Sequence, residues 1–268
     1  MSVDLFAVPP DANLRAPLAR ANPVAKLGAS VAMSLALLLS VDVVTAGTAL
    51  LLELAVLPWC GLGPGALWRR GRIVLLAALP AGAGTALLGV DAGATLAGLG
   101  PVSVTVGSAT AGAAIALRVM AIGLPGVVLL ATTDPTDLAD ALAQVLRLPH
   151  RFVLSALAAM RLFGVLAAEW QALTYARRAR GLGEEGVIGR LREVFGRVFT
   201  LLVLAVRRGT TLAVAMEARG FGMSPDRTWA RPSRLRPWDG VVLAGGVLLA
   251  ALATAAGVAA GTWRLLLS

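Results

Sequence analysis

The sequence predicts an all-α membrane protein with about five transmembrane helices and a set of amphipathic cytoplasmic helices inserted before the last span. Hydrophobic residues make up 57% of the 268 positions and charged residues only 15%, against about 25% charged residues in soluble domains. The mean hydropathy is accordingly high, at +0.79. Aromatic residues account for 5%, and the abundance of small and aliphatic residues favours packed helices over a β-barrel with aromatic girdles.

Five apolar segments approach the length of about 20 residues that a helix needs to cross the hydrocarbon core. The second is interrupted by Glu53 and Pro58, and the fourth carries Arg118 and Pro125. The last is uncharged. The predicted spans are 24–43, 44–59, 73–90, 111–132 and 240–261.

The distribution of positive charge predicts the orientation of these spans, because cytoplasmic loops are enriched in Lys and Arg. Residues 1–23 lack the apolar core of a cleaved signal peptide and are interpreted as a cytoplasmic N-terminal arm. The basic segment 68–72, read as a loop, is placed on the same side, and the connection 91–110, which has no Lys or Arg, is placed outside. We therefore expect residues 24–132 to hold four spans and residues 240–268 the last span and a tail.

Residues 133–239 differ in character from the rest of the chain, because they hold most of its 24 basic residues. Their apolar runs, such as 198–206, are short and flanked by arginines, a pattern typical of helices that lie at a membrane surface. Pro135, preceded by Thr133 or Asp134 as a cap, begins the first predicted helix. The second is predicted over 151–180 and the third over 187–219, with an apolar face on the third. That face comprises Leu191, Val194, Phe195, Val198 and Leu202.

The two long helices end in the same three residues. These are Ala179-Arg180-Gly181 and Ala218-Arg219-Gly220. Each copy alone has a structural explanation, because Gly is a common helix stop and a cation in the last turn suits the helix dipole. Two copies on consecutive helices indicate a shared role. A guanidinium at a helix tip presents a rigid fork of donors to the carboxylates or carbonyls of a partner.

The paired Ala-Arg-Gly endings resemble those of the transmembrane T component (EcfT/CbiQ/BioN-like) of energy-coupling factor (ECF) transporters for vitamins and metal ions. The resemblance covers nearly the whole chain. Residues 22–27 are similar to the family's Asp-Pro-x-x-Lys-Leu entry to the first span, with Asn22 in place of the commoner Asp. Residues 132–138 resemble its Thr-Thr-x-Pro-x-x-Leu segment, and Ala-Met-Glu-Ala-Arg-Gly-Phe at 215–221 is the closest match.

The resemblance implies a coupling subunit of an ECF-type ABC importer in the bacterial inner (plasma) membrane. Such a subunit transmits the ATP-driven motion of two cytoplasmic ABC-type ATPases to a substrate-binding membrane S component. Residues 133–239 are then the cytoplasmic coupling helices. The residues expected to contact the ATPases are Ala179, Arg180, Gly181, Ala218, Arg219 and Gly220. The resemblance implies no cofactor on this chain, since the ATPases bind ATP, and no nucleic acid partner.

Other function classes find less support in the residues. The chain is not expected to hydrolyse ATP, because its only lysine, Lys26, lies between Ala and Leu and not in the Gly-Lys-Ser/Thr of a phosphate-binding loop. One His and one Cys leave no candidates for a zinc site or a disulfide. The alternative is a self-contained multi-helix membrane transporter or channel with helices broken at Pro80 and Pro125, whose neighbours offer little to bind a solute.

Two charged side chains and four glycines in the predicted spans call for a structural explanation. Glu53 and Arg118 are either functional or satisfied inside the bundle by hydrogen bonds or ion pairs, with each other as one option. We expect four small residues to lie at close helix contacts, either within the bundle or against the S component. They are Gly82, Gly84, Gly245 and Gly246.

Overall fold

The computed structural model describes residues 13, 16–40, 42–89, 94–99, 102–181, 186–222 and 228–263. These residues form eight α-helices and a short 3-10 helix, Leu57–Cys60, that directly follows α2. The prediction of an all-α membrane protein is confirmed. The α-helices are α1 Pro23–Leu39, α2 Val43–Val56, α3 Pro64–Leu88, α4 Val106–Thr132, α5 Pro135–Gln144, α6 His150–Ala179, α7 Val187–Ala218 and α8 Pro237–Ala259.

Six helical segments of the described chain are long and apolar enough to cross a membrane, namely Val43–Cys60, α3, α4, α6, α7 and α8. The first helix, α1, is shorter, at 17 residues. The helices α6 and α7, predicted as amphipathic cytoplasmic helices, run without a break for 30 and 32 residues. Both meet the criterion because scattered arginines do not offset their many Leu, Val and Ala residues. Their cytoplasmic placement therefore stays a prediction.

The basic segment 68–72 is helical and lies near the start of α3, so the prediction of a loop there is wrong. The helix begins at Pro64, which occupies its first position after Gly63, and Pro is well suited to that place because its missing N–H has no helical partner there. Arginine is a good helix former, so the three arginines that follow do not delay the start of the helix.

A two-stranded antiparallel hairpin occupies part of the connection between α3 and α4, where the sequence predicted no strand. Its strands are β1 Thr95–Leu99 and β2 Val102–Thr105, and Leu99 pairs with Val102 at the turn. Val and Thr favour extended backbone because their branched side chains fit a pleated surface. The hairpin leads directly into α4, whose first turn is capped by the Thr105 hydroxyl accepting from the Ser108 amide at 3.2 Å.

The chain divides into two compact units. Among the described residues, the first, which we call the bundle unit, comprises those up to Ala141 and those from Ser233 onwards, and the second, which we call the α6–α7 unit, comprises those from Leu142 to Pro232. The division falls inside α5. A core of small and medium apolar side chains holds the bundle unit together. It comprises Met33, Leu37, Ala46, Ala49, Leu50, Ala121, Ala250 and Ala253.

Two glycine contacts set how closely the helices of the bundle unit approach. A Cβ atom on Gly82 of α3 would lie 2.8 Å from the carbonyl oxygen of Gly112 on α4, and one on Gly112 would lie 2.6 Å from the carbonyl oxygen of Gly82. A Cβ atom on Gly246 of α8 would lie 2.4 Å from the Cβ of Ala29 on α1. The predicted packing role is confirmed at Gly82 and Gly246.

Gly84 and Gly245 make no such contact within this chain, because an added Cβ would have no atom within 4 Å there, and a packing role against a partner stays a prediction for them. The reason is the 3.6-residue helical period, which turns positions one or two apart away from the same neighbour. Composition identifies a small-residue segment, but the contact partner decides which member of the segment must be small.

We expect Gly82→Leu to lower the midpoint of thermal unfolding of the detergent-purified protein, because the new side chain meets backbone atoms of α4 that cannot move aside. Overpacking of this kind costs about 1–3 kcal/mol. The matched control is Gly84→Leu on the same helix, which enters open space. Equal midpoints for the two variants would show that α3 and α4 do not approach as closely as described.

Candidate functional site: two helix tips and the entry to the bundle

The helices α6 and α7 form an antiparallel pair joined by arginine contacts. Arg208 of α7 is ion-paired with Glu169 of α6. Nearer the other end of the pair, Arg197 donates from Nη1 to the Thr174 hydroxyl at 2.9 Å and stands 4.7 Å above the ring of Trp170. As the residue numbers of the contacts increase along α6, the numbers of their partners on α7 decrease. The two helices therefore run in opposite directions.

This arrangement separates the two Ala-Arg-Gly triplets. The C-terminal end of α7 lies beside the beginning of α6, where Arg151 donates from Nη2 to the carbonyl oxygen of Gly222 at 2.7 Å. Arg180 lies at the opposite end, close to the turn between the helices. Since α7 has 32 residues and an α-helix rises 1.5 Å per residue, Arg180 and Arg219 are roughly 40 Å apart along the pair.

Each triplet ends its helix with the same backbone geometry. Arg180 and Arg219 are the C-cap residues, and Gly181 and Gly220 follow with φ of 69° and 77°. These left-handed values suit glycine, which has no Cβ to clash. The amide of Gly220 donates to the carbonyl of Glu217 at 2.9 Å and that of Phe221 to Met216 at 3.0 Å, the two bonds of a Schellman motif.

The side chains of both tips are free to meet a partner. Ala179, Arg180, Gly181, Ala218, Arg219 and Gly220 are all exposed. Over the described residues, neither Arg180 nor Arg219 forms a side-chain hydrogen bond or ion pair. Arg197 and Arg208, by contrast, are engaged between the helices. The structure thus presents two separate tips and does not bring the six residues into one site.

The apolar face predicted on α7 is exposed within the α6–α7 unit. The exposed fraction is 66% at Phe195 and 59% at Leu202, and none of the described residues of α7 is buried. The polar contacts between α6 and α7 involve arginines of α6 and α7 and not this apolar face. The three- and four-residue spacing of apolar residues identified this face in the sequence. The sequence does not indicate which surface packs against it.

Lys26 joins three parts of the chain at the entry to the bundle unit. Its side chain is buried, with 7% exposed, and Nζ has four oxygen acceptors. They are the carbonyl of Ala19 at 2.9 Å, the carbonyl and hydroxyl of Thr132 at 3.1 and 3.2 Å, and the hydroxyl of Thr133 at 3.3 Å. The ammonium thereby ties α1 to the N-terminal arm and to the end of α4.

Asn22 and Asp239 complete this entry. Asn22 caps α1 by accepting from the Val24 amide at 3.0 Å. The buried carboxylate of Asp239 accepts from the backbone amides of Asn22 and Arg236, each at 2.6 Å, and so caps α8 while holding the start of α1. Sequence reasoning did not single out Asp239. An acidic residue in the first turn after Pro237 was the available indication.

The segment 132–138, which resembles the Thr-Thr-x-Pro-x-x-Leu segment of the family, also has a clear structural basis. Asp134 caps α5, since its carboxylate accepts from the Thr136 amide at 2.7 Å, which decides between the two cap residues considered from the sequence.

Among the residues that the structure describes, no group of three or more His, Cys, Asp or Glu side chains is placed to hold a metal ion.

Residues 15–229 match the protein family described as CbiQ, cobalt transport protein. The chain belongs to this family. Both helix tips and the Lys26 cluster fall within the matched part of this CbiQ-family chain, and α8 lies beyond it.

Known relatives of this CbiQ-family chain carry the name energy-coupling factor transporter transmembrane protein EcfT. That of Limosilactobacillus fermentum is 31% identical over 162 residues, which are 57% of this chain and 61% of the relative. Those of Exiguobacterium sibiricum and Thermotoga maritima are 34% and 33% identical, covering 42% and 46% of this chain and 46% and 49% of the relative. The chain thus spans about half to three-fifths of the length of these relatives.

Proposed function

We propose that this chain is the transmembrane coupling subunit of an ECF-type ABC importer. In this proposal it is a non-catalytic subunit. It connects two cytoplasmic ATPases to a substrate-binding S component in the membrane, and the complex takes up a vitamin or a metal ion. The observation that carries the proposal is the pair of exposed arginine tips with one shared geometry, in a chain whose family and relatives are transport proteins.

The geometry of the tips suits two partners better than one. Arg180 and Arg219 lie at opposite ends of the α6–α7 pair, roughly 40 Å apart at 1.5 Å per helical residue, so each contacts one ATPase of a pair. A guanidinium held at a capped helix end binds carboxylates or carbonyls with two parallel hydrogen bonds. Closure of the ATPases on ATP then moves both tips together, and the arginine contacts between α6 and α7 keep the pair rigid.

Reconstitution tests this proposal directly. The chain is co-expressed with two ABC-type ATPases and a candidate S component from the same genome, and the complex is purified through a tag on the chain. We expect all four proteins to elute together and to support ATP-dependent uptake in liposomes. Uptake by the chain alone, without ATPases, would contradict the proposal and favour a self-contained transporter.

The proposed orientation makes a separate prediction. In a Cys60→Ser background, a cysteine in place of Gly98 should react with a membrane-impermeant maleimide on intact cells, because β1 lies in the connection without Lys or Arg. A cysteine in place of Gly186, just before α7, should react only after the cells are opened. The reverse labelling pattern would overturn the cytoplasmic placement of α6 and α7.

A further inference from the structure

Glu53 presents a carboxylate without a partner inside the bundle unit. Both of its oxygens are buried, and no hydrogen-bond donor of the described chain reaches them. An ion pair with Arg118, one option considered from the sequence, is not formed, and Nε of Arg118 is itself buried without a partner. Buried polar groups are almost always hydrogen-bonded, so Glu53 calls for a donor that the described residues do not supply.

Glu53 is one of the residues that line a groove of about 560 Å³ bordered by α1, α2, α4 and α8. The walls of the groove are mainly apolar, and Leu248 on its edge is 60% exposed. Trp59 and Trp238 stand at one end, a position typical of the membrane–water interface. Glu53 lies six residues before Trp59, or roughly 9 Å deeper at 1.5 Å per residue.

The depth of Glu53 decides what kind of occupant satisfies it. A lipid chain in the groove would bring only methylene groups to Glu53, because its polar headgroup stays near the level of the tryptophans. An unsatisfied carboxyl group surrounded by hydrocarbon costs several kcal/mol. A transmembrane helix, in contrast, can carry a hydroxyl, amide or amine donor at this depth, and such side chains are used to join helices in membranes.

We infer that the groove is the seat of one transmembrane helix of a partner membrane protein, which carries a hydrogen-bond donor opposite Glu53. The groove follows α8 from Trp238 to Leu249, roughly 16 Å, which is about half of the hydrocarbon thickness and enough for three turns of a helix. The inference rests on the proposed function in one respect only, namely that the partner that supplies the helix is the S component. The contact itself is independent of the ATPases.

Two matched glycines test occupancy without touching Glu53. Gly245 lines the groove, and a side chain there enters its open space, whereas Gly84 on α3 is equally open but lies outside the groove. In the tagged complex purified from native membranes, Gly245→Leu should reduce recovery of the partner membrane protein about three- to tenfold, the effect of losing one membrane helix contact. Gly84→Leu should leave recovery unchanged.

Photo-crosslinking identifies the occupant. p-Benzoylphenylalanine replaces Leu248 at the groove or, as a control of similar exposure (56%), Leu35 on α1 outside it. In the full complex, position 248 should form an adduct with a transmembrane peptide of another protein. That peptide should carry a hydrogen-bond donor side chain within one helical turn of the crosslinked residue. Glu53→Gln, which keeps an acceptor, should retain this adduct, and Glu53→Leu should lower its yield about three- to tenfold.

The outcomes separate this inference from the proposed function. Adducts to lipid alone or to a second copy of this chain would overturn it. So would an adduct whose yield survives both Glu53→Leu and Gly245→Leu. The ATPases are measured in the same eluates. If they are absent from the wild-type complex while the adduct forms, the proposed function fails and the groove contact stands.

Discussion

Replacing Arg180 and Arg219 together with alanine is expected to release both ATPases while the chain stays inserted in the membrane. Both side chains are exposed and have no partner among the described residues, so their removal costs the isolated chain little. What is lost is a charge-assisted contact at each tip in the complex. ATP-dependent uptake should fall to background because no ATPase remains to drive it.

The single variants should weaken binding of one ATPase each, at least about tenfold, since a hydrogen bond to a charged group contributes about 1.5–3 kcal/mol. The tips are too far apart to share a partner group, so the two effects should add. Binding is measured by co-purification and by titrating purified ATPase onto the chain in nanodiscs.

Arg207→Ala is the matched control for both tips. Arg207 is an exposed arginine of α7, yet it lies in the middle of the helix and away from either end. If Arg207→Ala weakened ATPase binding as much as the tip variants, a general attraction between a basic surface and acidic ATPases would explain the result. Normal uptake by the double variant would contradict the proposed role of the tips altogether.

The helix ends of the α6–α7 unit were predictable because the determining chemistry is local. A glycine after a run of helix formers adopts left-handed backbone at low cost, so Gly181 and Gly220 marked the ends from the sequence alone. The start of α3 was not predicted, because a basic segment reads as a loop when hydropathy alone is considered. Pro64 held the better information, since it indicates a first helical position.

The groove and the entry cluster depend on contacts between distant segments and were not predictable in the same way. Lys26 is 106 residues from Thr132, and no local pattern in the chain encodes that pairing. Glu53 was recognisable as unusual from its place in an apolar segment. That it lacks a partner, and that Arg118 does not supply one, became clear only when the helices were placed side by side.

Lys26→Met is expected to destabilise the bundle unit strongly. Met preserves the length and apolar stem of the side chain but removes the donors that hold the carbonyls of Ala19 and Thr132 and the hydroxyl of Thr133. A hydrogen bond from a charged group contributes about 1.5–3 kcal/mol to stability. Each buried acceptor that is left without a donor adds a desolvation cost. A loss of about 3 kcal/mol corresponds to roughly 6–12 °C in the midpoint of thermal unfolding for a chain of this size.

Ser34→Ala controls for loss of a polar group from the same helix, because the Ser34 hydroxyl donates only to the carbonyl of Ser30 one turn away. Its removal should shift the midpoint by much less, since that bond lies within α1 and joins no other segment. The comparison therefore measures how much the hydrogen bonds of the Lys26 ammonium to other segments contribute to the stability of the bundle unit. Equal midpoints for Lys26→Met and Ser34→Ala would mean that burying the charge costs as much as its hydrogen bonds return, and that apolar packing alone holds α1 against α4.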